Sequence, residues 1–152
     1  MLGFDTTQVL IGGAWRSPAV AETLPLLNPS DGSDLAQIAR GRAAAIDAAV
    51  AAAQAARDGA WSALTAAERG RLLMAMSALV REQADELARL EALDVGKPLK
   101  QGRADALALA RYLEFYGGAA DKVHGETIPF AAGYTALTLR EPHGVTGHIV
   151  PW

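Results

Sequence analysis

The side chains that do most covalent and metal chemistry are scarce in this chain. It contains no cysteine, which removes disulfides, thiolate metal sites and thiolate nucleophiles together. Three histidines remain, His124, His143 and His148. Their spacing is not that of a zinc site, and no carboxylate partner is suggested beside them. His143 reads as turn surface and His148 as part of the last strand. The glycine-containing stretch GGAADKVHG lacks the G-x-G-x-x-G spacing that cradles a dinucleotide phosphate. Lys97, Lys100 and Arg103 with Asp105 read as a solvated charge cluster. Asp94 stands just before Gly96-Lys97-Pro98, where an acidic residue in a helix-ending turn near a lysine is the plain reading. No catalytic residue emerges from these groups.

The elements that must carry them follow from local pattern. Val9 and Ile11 alternate, Gly12-Gly13 is a two-residue turn signal, and Trp15 opens a return strand, so QVLIGGAWRS predicts a hairpin. Asn28-Pro29-Ser30-Asp31-Gly32 is dense turn chemistry, followed by a short strand over 35–39. From Ala43 the period changes. Ile46, Ala49, Val50 and Ala53 fall on one helical face, and Asp58-Gly59 ends that helix. Thr65 to Glu68 (TAAE) is a capping box. It starts one long helix whose apolar side is Leu72, Leu73, Met76, Leu79, Val80, Leu87 and Leu90, ended by Gly96 and Pro98. A third helix spans about 102–116, with Ala104, Ala108 and Tyr112 at four-residue spacing. Residues 134–140 alternate as a strand. Val145, Ile149 and Val150 predict a final strand over 145–150, with apolar side chains on both faces. Such a strand needs neighbours on both edges and cover on both sides. The expectation is that other polypeptide supplies the rest of its sheet.

Composition agrees with a folded domain. Of 152 residues, 51% are hydrophobic and 20% charged, and the net charge is −3. That is globular rather than disordered, and it offers no basic footprint for nucleic acid or an anionic membrane. No apolar run approaches the ~20 residues of a membrane span. The N-terminus lacks the basic start and apolar stretch of a signal peptide, so a cytoplasmic location is expected.

Six segments carry a family likeness. VLIGGAW, LLNPSDG, RGRLLMAMSALV, ALDVGKP, FYGGAADKVHGETIP and REPHGVTGHIVPW occur in this order and resemble the N-terminal third of the aldehyde dehydrogenase superfamily, NAD(P)-dependent enzymes that oxidise aldehydes to carboxylic acids. The resemblance implies an α/β fold. It would comprise an N-terminal hairpin and three-helix arm, an oligomerisation strand over 134–140, and the first strand of a Rossmann-like domain over 145–150. Residues 1–152 would then form an incomplete N-terminal part of the cofactor-binding domain. The implied partners are a small aldehyde and further copies of the same subunit. The implied cofactor is NAD or NADP.

The resemblance also implies site residues. Ile149, Val150, Pro151 and Trp152 match the segment that lies along the cofactor. On this chain alone they read as a buried strand and a core tryptophan. Asp94, with the backbone carbonyls of Leu26 and Leu27, matches a structural potassium or sodium site. Oxygen donors suit such hard cations. Ala104, Ala108 and Tyr112 match the helix face lining the substrate tunnel, while close helix–helix packing through the alanines is the alternative. In the family a cysteine thiolate, a glutamate-activated water and an asparagine after Pro-Trp do the chemistry. None of these parts is recognisable within the 152 residues. Alone, the chain is expected to lack dehydrogenase turnover. A second reading is a non-catalytic interaction protein that adds a strand to a partner's sheet.

Overall fold

A computed structural model describes residues 3–150. Two small antiparallel sheets come first. β1 (Val9–Ile11) pairs with β2 (Ala14–Arg16), with Leu10 opposite Trp15. Gly12 and Gly13 both take positive φ, 62° and 76°, the turn geometry whose twist matches the strands it joins. β3 (Thr23–Leu27) pairs with β4 (Asp34–Ala39), with a register shift between Leu26 and Leu27. Side chains close the connecting turn. Asn28 Oδ1 accepts from the Ser30 N–H at 2.9 Å and Asp31 Oδ1 from the Ser33 N–H at 2.9 Å.

Four helices follow, α1 (Ala43–Ala56), α2 (Ala66–Glu82), α3 (Ala84–Val95) and α4 (Leu99–Ala119). A widened turn over Arg57–Trp61, broken at Gly59 (φ −107°, ψ −124°), links α1 to α2. Thr65 caps α2. Its hydroxyl accepts from the Glu68 N–H at 3.2 Å, and the Glu68 carboxylate accepts from the Thr65 N–H at 2.7 Å. The single long helix expected over 65–95 is two helices, parted where Gln83 leaves helical geometry (φ −97°, ψ 9°). No glycine or proline at that point explains the break. Gly96 ends α3 at φ 71°, donating its N–H to the Ala92 carbonyl at 3.0 Å. α4 runs past Gly117-Gly118, which lie inside it rather than at its end.

α4 packs antiparallel to α2 and α3, through small residues. Gly70, Ser77, Ala84 and Ala88 are buried on one side, and Gly102, Ala106 and Ala110 on the other. Spacings of seven and four keep each set on one stripe. Ser77 Oγ donates to the Ala110 carbonyl at 2.7 Å across the seam. A Cβ on Gly102 would lie 3.2 Å from Ala88 Cα, and a Cβ on Gly70 would collide with the Gly117 carbonyl oxygen. Four alanines (Ala84, Ala88, Ala106 and Ala110) make up the buried apolar core among the described residues.

α1 departs from its expected face. Its half-buried positions are Ala45, Ala49, Ala52 and Gln54, while Ile46 and Val50 are exposed. The β1–β2 turn settles against Ala52, whose Cβ would lie 3.7 Å from a Cβ on Gly12.

Beyond α4 the chain is mostly extended. β5 (Thr127–Ile128) pairs with β6 (Ala136–Leu137). Only these two residues of the strand expected over 134–140 are therefore laddered, and to this same chain. The strand expected over 145–150 does not form. No neighbouring edge is present among the described residues to satisfy its backbone, and Ile149 and Val150 stand exposed. The Rossmann-like strand is thus absent from this structure. The fold is mixed, a helical hairpin flanked by small antiparallel sheets, with no parallel pairing among the described residues.

Candidate functional site

Three regions hold the candidate site residues. The first is a cavity of about 680 Å³ between the N-terminal sheets and the α3–α4 hairpin. Phe4, Trp15, Leu26, Ile38, Leu90 and Leu109 give it apolar walls, and Asp5, Glu91, Asp94 and Asp105 stand around it. Leu26 and Asp94 therefore meet in one cavity. Leu27 is not part of its lining and is exposed. No group of three or more histidine or carboxylate side chains is placed to hold a metal among the described residues. Any cation there would depend on backbone carbonyls added to Asp94.

Beside this cavity, Lys97 joins α3 to α4. Its ammonium pairs with Glu91 and with Asp105 at 2.8 Å, and Gln101 Nε2 donates to Asp105 at 2.8 Å. Hydrogen bonding to Asp105, then to Glu91, holds Lys97 above its ordinary pKa. The bond from Lys97, then that from Gln101, holds Asp105 below its own. Both groups stay charged at neutral pH, so this is a clamp and not an acid–base pair. The cluster expected to be merely solvated is partly buried at Lys97.

The second region is the outer face of α4. Ala104, Ala108 and Tyr112 lie on one face, and all three are exposed, Tyr112 by 64%. The seam with α2 and α3 runs through Gly102, Ala106 and Ala110 instead of through this face. Tyr112 sits in a shallow depression with Arg111, Phe115 and Tyr116. The Phe115 and Tyr116 rings meet edge to face at 5.3 Å. Sequence analysis did not single out these neighbours as site residues, although their offset of three and four from Tyr112 is the signal that they share its face.

The third region is the final segment. Ile149 and Val150 are exposed and unladdered, and Val150 is 76% accessible. The alternative of a buried strand is therefore not realised for these two. Pro151 and Trp152 lie outside the described residues. Nothing here forms a dinucleotide cradle. A ligand past the end of a strand needs the sheet and a helix N-terminus beside it, and the described residues present neither next to Val150. These residues do not fit NAD or NADP by themselves.

The histidines add little chemistry. His148 Nε2 lies 3.1 Å from Thr146 Oγ1 on an exposed stretch. Among the described residues, no helix is long and apolar enough to cross a membrane.

Comparison with known proteins places the chain. The model of the aldehyde dehydrogenase family matches residues 15–152. Aldehyde dehydrogenase family 2 member B4, mitochondrial, of Arabidopsis thaliana is 44% identical over 148 residues, 96% of this chain and 28% of that protein. Among solved structures, a candidate aldehyde dehydrogenase from Burkholderia cenocepacia is 62% identical, with a TM-score of 0.85 over 89% of this chain and 28% of its own. PnpE, solved in complex with nicotinamide adenine dinucleotide, is 40% identical, with a TM-score of 0.80 over 86% of this chain and 27% of its own. The chain thus spans little more than a quarter of the length of these relatives. With the match running over residues 15–152 and 89% of the chain superposing on a 62% identical solved structure, the chain belongs to the aldehyde dehydrogenase family.

Proposed function

We propose that this chain is the N-terminal portion of an NAD(P)-dependent aldehyde dehydrogenase, an oxidoreductase that converts aldehydes to carboxylic acids, and that its 152 residues alone do not turn over. The carrying observation is the family match over 15–152 in a chain spanning 28% of its relatives. The missing chemistry supports the inactivity, since the chain has no cysteine to act as thiolate nucleophile. The NAD complex of a 40% identical neighbour supports the cofactor class.

Within that reading, Ile149 to Trp152 would border the cofactor once a sheet is built beside them. Ala104, Ala108 and Tyr112 would form one wall of the aldehyde tunnel, which their shared exposed face supports. Asp94 with the Leu26 and Leu27 carbonyls would hold a structural potassium or sodium ion. The 134–140 segment would serve subunit contacts in a homo-oligomer, which the exposed Tyr134 and Leu139 support, and the enzyme would be cytoplasmic.

A graft tests the reading. Residues 1–152 replace the matched segment of the Arabidopsis relative. The expected result is aldehyde-dependent reduction of NAD+ or NADP+ by the graft and none by the 152-residue chain. A graft that folds and assembles like its parent yet shows no turnover overturns the proposal.

A further inference from the structure

Small side chains let α4 approach its neighbours closely but hold it weakly in register. Gly102, Ala106 and Ala110 present almost no relief to α2 and α3, and helix register comes from side-chain ridges that interlock. Polar ties must therefore set where α4 stands along the seam. Two tie its C-terminal half to α2. Ser77 Oγ donates to the Ala110 carbonyl at 2.7 Å, and the Arg81 guanidinium donates to Glu114 at 3.0 Å. The N-terminal half is tied to α3. Arg103 meets Asp85 at 2.7 Å, but these side chains are 56% and 82% exposed, and such a pair contributes little. The other tie is Lys97, whose ammonium bridges Glu91 of α3 and Asp105 of α4. All three of these residues are half-buried.

The base of that bridge is fixed. Gly96 is held at φ 71°, and a Cβ there would lie 3.2 Å from Pro29 Cγ in the β3–β4 turn. Pro98 keeps the Lys97 backbone out of helical geometry. The ammonium is thus presented from a rigid turn, and Gln101 holds the far side of Asp105 at 2.8 Å. Asp105 carries the bridge to the outer face of α4. It follows Ala104 directly and precedes Ala108 by three residues, so Asp105 and Ala108 are neighbours on the helix surface.

We infer that Lys97 is a positioning residue for the aldehyde tunnel. By tying Glu91 to Asp105 across the α3–α4 turn, it fixes where Ala104 and Ala108 stand, and so which aldehydes that wall accepts. This rests on the tunnel reading proposed above, and Lys97 acts in it only through α4. A wall displaced by a fraction of an ångström changes fit to the substrate without touching the reacting groups.

Two measurements test it, one of them without turnover. In the 152-residue chain, Lys97→Met should speed hydrogen exchange at the Ala104 and Ala108 amides by about threefold or more relative to Ser77. No change, or an equal rise at all three, overturns the inference. In the graft, Lys97→Met should change the kcat/KM ratio of a bulky to a short aldehyde by about fivefold or more, carried by KM, with KM for the nicotinamide cofactor unchanged. Lost stability alone would lower the active fraction, so kcat would fall equally for every aldehyde at constant KM, and that result also overturns the inference. Asp105→Asn should reproduce the shift, and the double variant should add nothing to it, as for two members of one bridge. Arg103→Met, which removes only the exposed pair, should leave the ratio at the parent value. Additive effects in the double variant, or an equal shift in Arg103→Met, sink the idea. An inactive graft with Lys97 intact sinks the catalytic reading alone, and the exchange result still decides whether Lys97 orders this face. An active graft whose aldehyde ratio ignores Lys97 sinks only the positioning role.

Discussion

Gly70 and Gly117 set how closely α2 approaches α4. A Cβ on Gly117 would lie 2.9 Å from the Gly70 carbonyl oxygen, and backbone on both sides leaves no flexible atom to yield. Gly70→Ala should therefore destabilise the chain by about 1–3 kcal/mol, the usual cost of overpacking a closed seam. Gly118→Ala should do the reverse. Its Cβ meets only Met74 Cε at 3.6 Å, and alanine in a helix interior is favoured over glycine by roughly 0.5–1 kcal/mol. Thermal unfolding of the two variants decides the matter, and equal shifts of one sign would refute the seam. A neighbouring stripe bears on specificity. In the grafted enzyme, Ala108→Met should lower kcat/KM for bulky aldehydes relative to short ones, and an unchanged ratio removes Ala108 from the tunnel wall. The sequence showed Ala104, Ala108 and Tyr112 as one face, but not whether that face looked in or out. Gly102, Ala106 and Ala110 carry the same four-residue spacing and similarly small side chains. Periodicity gives phase only when the residues on the two faces differ in kind.

The N-terminus of α2 shows an element governed by its ends. The Glu68 carboxyl sits below its ordinary pKa, first because the Thr65 N–H donates to it, then because the Thr65 hydroxyl does, with Arg71 and Arg69 adding smaller attraction. A lowered carboxylate pKa contributes stability that is present above its ordinary value and is lost as pH falls through the folded-state value. Glu68→Gln keeps an acceptor without the charge, so its Tm should lie below the parent's from neutral to alkaline pH and converge with it as pH falls, which flattens part of the acid limb of the Tm–pH profile. An acid limb identical to that of the parent would remove the charge from the cap. Thr65→Ala should cost about 1 kcal/mol at neutral pH, readable as a Tm lower by roughly 3 °C for a chain of this length. The box was legible because its whole mechanism lies within four residues. Local pattern does not mark β3, since Pro25 and an exposed, weakly alternating Thr23–Leu27 look like turn sequence. A proline is tolerated at a sheet edge, and the pairing partner, β4, lies several residues away. Residues 145–150 err in the opposite direction. Their composition is that of a strand, but strand pairing depends on an edge that no local pattern supplies.

At the scale of the molecule, stability should be unevenly spread. The only closed packing among the described residues is the small-residue seam of α2, α3 and α4, with Ser77 satisfied inside it. Residues 120–150 hold two ladder pairs, β5 against β6, the Thr138 N–H donating to the Glu126 carbonyl at 2.9 Å, and the Phe130 and Tyr134 rings edge to face at 5.8 Å. Local opening costs least where few apolar contacts and exposed backbone hydrogen bonds coincide. Native-state hydrogen exchange should therefore rank the amides near Ser77, Ala88 and Ala110 slowest, and those from Val145 to Val150 fastest. The comparison becomes diagnostic when the partner is the rest of an aldehyde dehydrogenase chain, joined to residues 1–152 in the graft. If the final segment is extended because its sheet neighbours lie in the partner, protection should rise there, at Ile149 and Val150, while the seam amides, already closed, change little. Protection gained only in the seam would mean that the partner stabilises the helical hairpin globally without building a sheet. The terminal segment would then be a passive extension rather than the opening strand of the cofactor domain.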